Sequence, residues 1–138
     1  MAVSEAAKKH FLDQIRLKTF DDQYLDREEE KKVLEMGIKE GLSVNEGLAL
    51  IHQFAQEKKI IVEREVEERV KELLERFAVN DGVVDKKEFE DTLALFKTAT
   101  YGKIPETELK KRLKQMMLTH GWKAKEGGLF GSKWFSSI

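Results

Sequence analysis

The sequence predicts an all-α protein: a single-domain bundle of about six helices, built from two pseudo-symmetric three-helix halves and followed by an aromatic tail. Apolar residues recur at three- and four-residue spacing, helix-capping patterns precede several of these segments, and the 138 residues contain one proline. A composition of 37% charged and 41% hydrophobic residues fits one domain of this length. We expect a helical domain over residues 1–120 and a tail over residues 121–138.

Cysteine is absent from the chain, which excludes disulfides, cysteine-based zinc sites and thiol catalysis. Residues 1–9 lead directly into charged sequence and not into a long apolar run, so we expect neither a signal peptide nor a spanning helix. Together these observations predict a soluble protein of the cytoplasm.

The first two helices are predicted over residues 5–18 and from Asp26 onward. Asp26 and Glu29 have the spacing of a capping box, in which each side chain accepts a hydrogen bond from the other's backbone amide. Gly41 ends the second helix, since glycine suits a left-handed cap. The apolar faces are expected to consist of Phe11, Leu12, Ile15 and Leu17, and then of Val33, Leu34, Met36 and Ile38.

The third helix begins at a second capping box, Ser43–Glu46, and is the most apolar of the chain. Residues 58–62 contain no helix breaker, and we assume a tight corner there before a fourth helix. That helix ends before Asn80–Gly82, a strong turn signal in which Gly82 is expected at positive φ. Its buried face is predicted to carry Val62, Val66, Val70, Leu73, Leu74 and Phe77.

The last two helices are predicted from Asp85–Glu88, a further capping box, and from Pro105, which is tolerated in a first helical turn. The fifth ends at Tyr101–Gly102 and the sixth at Gly121. Their buried faces are expected to contain Phe89, Thr92, Leu93, Leu95, Phe96 and Ala99, and then Leu109, Leu113, Met116 and Met117.

An internal repeat relates the two halves. A shift of 59 residues aligns residues 22–29 with residues 81–88, with three acidic positions in common. An eight-residue match in a charge-rich chain also arises by chance, but this one falls at equivalent points in two helix orders. We therefore interpret residues 5–58 and 62–120 as half-repeats.

The segment Asp81–Phe89 resembles the second half of an EF-hand loop and its exit helix. With the degenerate first copy at residues 22–30, the paired arrangement is similar to the all-helical TerB-like family associated with tellurite resistance. The resemblance covers about residues 10–118. It implies a small helical protein of stress-associated, often membrane-proximal assemblies, with acidic loop residues that bind a divalent ion.

The metal-binding residues of such a loop would be Asp81, Asp85 and Glu88. With Gly82 at position 6 of an EF-hand loop, they occupy positions 5, 9 and 12. Phe77 and Val79 then occupy positions 1 and 3, where neither supplies a side-chain oxygen. The same acidic residues have the spacing of helix caps, which we favour, so no cofactor is expected and Ca²⁺ or Mg²⁺ is the alternative.

Catalytic and nucleic-acid-binding patterns are weak. The three histidines lie far apart and no serine-nucleophile motif occurs, so we do not expect an enzyme. From Lys103 onward the chain has 8 basic and 3 acidic residues, which leaves 17 and 23 in the rest. The basic residues of residues 110–114 fall between the apolar positions of the sixth helix, so solvent exposure explains them and nucleic acid is not favoured. An anionic membrane surface stays open but lacks a supporting apolar face.

The tail concentrates both tryptophans beyond the last helix, which indicates a segment that buries aromatic rings. It packs either on its own bundle or in a groove of a partner or a second copy. Our hypothesis is a non-enzymatic adaptor or regulatory subunit that docks a protein through this tail, with neighbouring lysines steering an acidic partner. The alternative is a divalent-ion-responsive EF-hand-like module. The candidate partner-binding residues are Trp122, Leu129, Phe130, Trp134 and Phe135.

Overall fold

The computed structural model describes residues 4–126 and 132–138, and within them the chain forms six helices and four two-residue strands. The helices are α1 Glu5–Thr19, α2 Arg27–Lys39, α3 Val44–Lys58, α4 Glu63–Ala78, α5 Lys86–Ala99 and α6 Glu106–His120. The strands are β1 Tyr24–Leu25, β2 Ile61–Val62, β3 Val83–Val84 and β4 Lys123–Ala124. The predicted all-α class with six helices is confirmed. In the described ranges, every helix is too short or too polar to span a membrane.

The chain divides into two compact units, residues 1–65 (unit 1) and residues 66–138 (unit 2). The same element order recurs along the chain: α1, β1, α2, α3, β2 and then α4, β3, α5, α6, β4. A shift of 59 residues carries the start of β1 and of α2 onto β3 and α5. After a longer link between α5 and α6 the shift is 62, which carries α3 and β2 onto α6 and β4.

The predicted capping boxes start α2, α3 and α5. The Asp26 carboxylate accepts from Glu29 N at 2.8 Å, and the Asp85 carboxylate accepts from Glu88 N at 2.7 Å. In each pair the glutamate accepts in return from the backbone amide of the aspartate. The α3 box at Ser43 has the same reciprocal bonds. Because these amides have no partner within the helix, the caps fix where each helix starts.

Left-handed residues end the third helix of each unit. Lys59 at φ 56° caps α3, which confirms the assumed corner before α4, and Gly121 at φ 72° caps α6. Gly82 also has positive φ, at 72°, as its turn predicts. At the equivalent position of unit 1, Gln23 takes φ 53° although it carries a side chain. Glycine is therefore favoured at this turn but not required.

Parallel two-residue ladders, which the sequence did not indicate, link distant segments within each unit. Tyr24 pairs with Ile61, and Val83 pairs with Lys123. In both units the loop after the first helix is thereby bonded to the chain that leaves the third helix. Strands of two residues show no alternating pattern, so periodicity could not have predicted them.

The core of unit 1 centres on Phe11, which packs so closely on Gly37 that a Cβ there would lie 2.9 Å from the ring. Residues of all three helices and both strands surround it: Ile15, Leu25, Val33, Leu42, Ile51, Phe54, Ala55 and Val62. Unit 2 buries Val66, Val70, Leu74, Val84, Phe89, Leu93, Phe96, Leu109, Leu113 and Met117.

Three residues expected on buried faces lie outside. Leu17 is 70% exposed, Ile38 is 49% exposed and Leu95 is 42% exposed. Leu17 and Ile38 follow the buried Ile15 and Gly37 by two residues and one residue, so the helix turns them away from the core.

Candidate functional site

The described end of the tail, residues 132–138, packs on α5 of unit 2. Phe135 is only 9% exposed, and its ring meets that of Phe89 edge-on at 6.4 Å between centroids. The half-buried Trp134 also contacts the Phe89 ring, at 5.1 Å, and packs against Phe135 at 5.7 Å. Three aromatic rings therefore form a cluster in which Phe89 is the seat.

A carboxylate holds the amide end of the tail turn. Glu126 Oε2 accepts from the backbone amides of Phe135 and Ser136 at 3.2 and 3.1 Å, and Oε1 accepts from the Ser136 hydroxyl. The Ser136 hydroxyl and then the backbone amides hold the pKa of Glu126 below its ordinary value, because they stabilise the ionised form. Glu126 thus caps the turn as a helix N-cap would.

An ammonium group holds the carbonyl end of the same turn. Lys114 Nζ donates to the backbone oxygens of Phe135 and Ile138, both at 3.2 Å, and lies 5.1 Å from the centre of the Phe135 ring. Trp134 Nε1 donates to the Lys125 carbonyl at 3.2 Å. A negative group at the amide end and a positive group at the carbonyl end suit the dipole of a helical turn.

The other predicted tail residues do not all share this place. Trp122 is half-buried and stacks on His120, with 4.7 Å between ring centroids. Leu129 and Phe130 lie outside the described residues. Of the two destinations considered for the tail, residues 132–138 take the one on their own unit, and Phe135 cannot contact a partner unless the tail undocks.

A groove of about 550 Å³ lies beside the docked tail, and we call it the tail groove. Its apolar lining is Phe89, Leu93, Ala94, Trp134 and Ile138. Its charged lining is Lys86, Glu90, Lys97, Glu106 and Lys110. Lys97 pairs with Glu106 at 3.5 Å, and Lys86 lies 4.0 Å from Glu90. The arrangement is concave, partly apolar and charged at its edge, which is typical of a binding surface.

The candidate metal ligands serve the local backbone instead. Asp85 and Glu88 form the α5 capping box, and Asp81 accepts from Val83 N at 3.0 Å. Over residues 4–126 and 132–138, no group of three or more histidine, aspartate or glutamate side chains is placed to hold a metal ion. The loop geometry is therefore explained by capping alone.

Buried polar groups of unit 1 form a separate set. Arg64 Nε donates to both oxygens of Glu30, at 2.9 and 3.1 Å, and the Tyr24 hydroxyl donates to Glu63 at 2.7 Å. Burial raises the pKa of Glu30, although the Arg64 charge acts in the opposite direction.

Part of the basic run on α6 is engaged in structure. Arg112 donates to Glu67 at 2.9 Å and to Glu108 at 3.4 Å, and Lys114 holds the tail. Sequence reasoning missed Lys114, Glu126 and Phe89 as the residues that seat the tail. Phe89 was expected only as a buried residue of α5, and no local pattern marks the pairing of residue 126 with residue 136.

The tail groove and its clamps are therefore the features from which a function can be argued. No family model, curated protein or solved structure matches this chain. The resemblance to the TerB-like family stays a prediction from the two loop motifs.

Proposed function

We propose that this chain is a non-enzymatic helical protein–protein interaction module, an adaptor or regulatory subunit, and that it docks its partner in the tail groove. The observation that carries the proposal is the wall formed by Trp134 and Ile138 opposite Leu93 and Ala94 of α5. Half-buried aromatic and aliphatic side chains in a concave surface give a partner's apolar side chain a desolvated seat.

The proposed partner segment is acidic and carries an apolar side chain. Three lysines and two glutamates edge the groove, and the chain from Lys103 onward has 8 basic against 3 acidic residues. A positive field of this kind raises the encounter rate with acidic segments and disfavours basic ones. Apolar contact with Trp134 and Leu93 then supplies the affinity.

The non-enzymatic part of the proposal is supported by where the shifted carboxylates lie. Burial raises the pKa of Glu29 and Glu30, and hydrogen bonds lower the pKa of Glu46 and Glu126. Each of these groups serves a cap, an ion pair or the tail clamp, and none of them lines the tail groove. A location in the cytoplasm and a stress-associated role also belong to this proposal, and they rest on the cysteine-free sequence and on the TerB-like resemblance.

Selection of a displayed random-peptide library on the full chain tests the proposal. Ala94 is exposed on the groove floor, so Ala94→Arg fills the groove without disturbing the core. Leu95→Arg places the same side chain on the same helix outside the groove lining and serves as the matched control. We expect acidic, apolar peptides whose binding is lost in Ala94→Arg and kept in Leu95→Arg. Equal binding to both variants, or enrichment of basic peptides, would contradict the proposal.

A further inference from the structure

Unit 1 has a groove of its own at the place that the repeat makes equivalent to the tail groove. It measures about 480 Å³, and six α2 positions line it: Arg27, Glu30, Lys31, Leu34, Glu35 and Ile38. A shift of 59 residues carries all six onto α5 residues that line the tail groove. The α3 residue Val44 is shifted by 62 onto Glu106, which also lines it. The groove is thus a recurring feature of the repeat.

The equivalent surface of unit 2 is seen with a chain segment seated on it. Trp134 and Phe135 pack there on Phe89, and the tail forms one wall of the groove. This shows what kind of segment the second helix of a unit holds: a single helical turn with apolar side chains, including Trp134 and Ile138 four residues apart. Such a turn presents both side chains on one face.

The unit 1 groove differs from the tail groove at its far end. Ile38 and Val44 are 49% and 48% exposed there, where unit 2 has the ion pair between Lys97 and Glu106. With the half-buried Leu34 they make an aliphatic patch. We call this groove the aliphatic groove.

The charges of the aliphatic groove are balanced. Its lining has two basic residues and three acidic residues, and one of the acidic residues, Glu30, is paired with Arg64. Without an excess of either sign, the groove gives no electrostatic preference for an acidic or a basic segment. Recognition there depends on apolar contact.

We propose that the aliphatic groove is a second docking site, and that it binds a helical turn of a partner protein presenting two apolar side chains four residues apart and no net charge. The proposal goes beyond the tail groove, because it concerns another unit and another ligand chemistry. Either site can exist without the other, so their tests are separate.

The test is a titration of the isotope-labelled full chain with a synthetic peptide of residues 132–138, with its ends blocked, followed by nuclear magnetic resonance. This peptide is a turn-forming segment with the required spacing, although its lysine makes it a weaker probe than a neutral one. A second peptide with Lys133 replaced by glutamine removes that charge. We expect saturable shifts at the amides of Leu34, Ile38 and Val44, with the neutral peptide binding at least as tightly.

A double variant sharpens this test. Ile38→Lys with Val44→Glu installs in unit 1 the residues that unit 2 has at the equivalent positions. Both positions are half exposed, so the fold is expected to persist, as a thermal melt will verify. The dissociation constant should rise by about tenfold or more, since a cluster of apolar contacts is removed. Lys39→Glu, on the exposed side of α2, is the control and should bind as the wild type does.

Three results would overturn the proposal: no shifts at millimolar peptide, shifts confined to Phe89, Leu93 and Trp134, or unchanged binding by the double variant. Sedimentation of the full chain identifies one further occupant. If the wild type self-associates and the double variant does not, the groove binds a second copy and the partner assignment is wrong. If the double variant melts early, the shift map of the wild type alone decides the question.

Discussion

The two units cover their second helix in different ways. Position 30 of α2 corresponds to position 89 of α5 under the 59-residue shift. In unit 1 this position is Glu30, and Arg64, just after β2, reaches it with two hydrogen bonds. In unit 2 it is Phe89, and the chain that follows β4 brings Trp134 and Phe135 onto it. One backbone arrangement therefore accepts an ion pair or an aromatic cluster at the same place.

The cores show a similar exchange of volume. In unit 1 the first helix supplies the large Phe11 and the second helix supplies Gly37. The equivalent residues of unit 2 are Val70 and Phe96, both fully buried. The large side chain has moved from one helix to the other, which is how a repeat diverges while its core volume is kept. The comparison predicts which substitutions each unit tolerates.

The largest expected effect is that of Phe89→Ala. Phe89 is 2% exposed and lies under two tail rings, so its removal leaves a cavity and should cost about 3–5 kcal/mol of unfolding free energy. Urea denaturation measures this loss, and the tail should also become accessible to protease. Phe20→Ala, at a phenylalanine that is 80% exposed, is the control and should change stability by less than about 0.5 kcal/mol. A small loss at Phe89 would mean that the tail is not seated there.

The ion pair of unit 1 gives the next effect. Glu30→Ala removes the carboxylate that accepts from Arg64 in a nearly buried site, and we expect a loss of about 1–3 kcal/mol. The double variant Glu30→Leu with Arg64→Met should recover most of this loss, because an apolar pair avoids the desolvation of two charges. Denaturant melts of the three proteins provide the measurement. If the double variant is the least stable, the pair does more than cover α2.

The two aspartate caps should respond alike. Asp26→Ala and Asp85→Ala each remove one side of a capping box, at an expected cost of about 0.5–2 kcal/mol. Thermal melts with and without excess calcium or magnesium check both the cap and the ion-responsive alternative. We expect the midpoint to be unaffected by either ion. A rise in the wild type that Asp85→Ala abolishes would instead support specific ion binding.

The smallest effect concerns pH and the tail alone. Because hydrogen bonds lower the pKa of Glu126, the folded state favours its ionised form, and the clamp stabilises the tail above the ordinary carboxyl range. This stabilisation is lost as pH falls through the lowered pKa. In a Trp122→Phe background, the fluorescence of Trp134 should report the loss. Glu126→Gln should have a looser tail near neutral pH and lack this acid transition; an unchanged transition would assign it to another group.

Helix positions were predictable because their signals are local. The capping boxes at Asp26, Ser43 and Asp85 and the glycine cap at Gly121 lie where the sequence indicates them. The repeat was visible for the same reason, since its match falls on a capped loop. The loss of register after the second helix of each half follows from the longer link between α5 and α6.

The candidate site was only partly predictable because it depends on distant residues. Aromatic composition indicated that the tail buries rings, and Phe135 does so. Nothing within the tail indicates that Lys114 accompanies it, since that lysine reads as an exposed helix residue until its hydrogen bonds are seen. The aliphatic groove was missed because Ile38 was assigned to a buried face and Val44 was considered only as part of a cap sequence.

The short parallel ladders have a consequence for the order in which each unit folds. Pairing Tyr24 with Ile61, or Val83 with Lys123, closes a segment of roughly 40 residues that contains two helices, and the entropy of that closure must be recovered by few bonds. The helices can form from local contacts before this happens, so the ladder forms late. The same scarcity of bonds lets it open by local unfolding. We expect the amide hydrogens of Ile61 and Lys123 to exchange with solvent before those at the centres of α3 and α6.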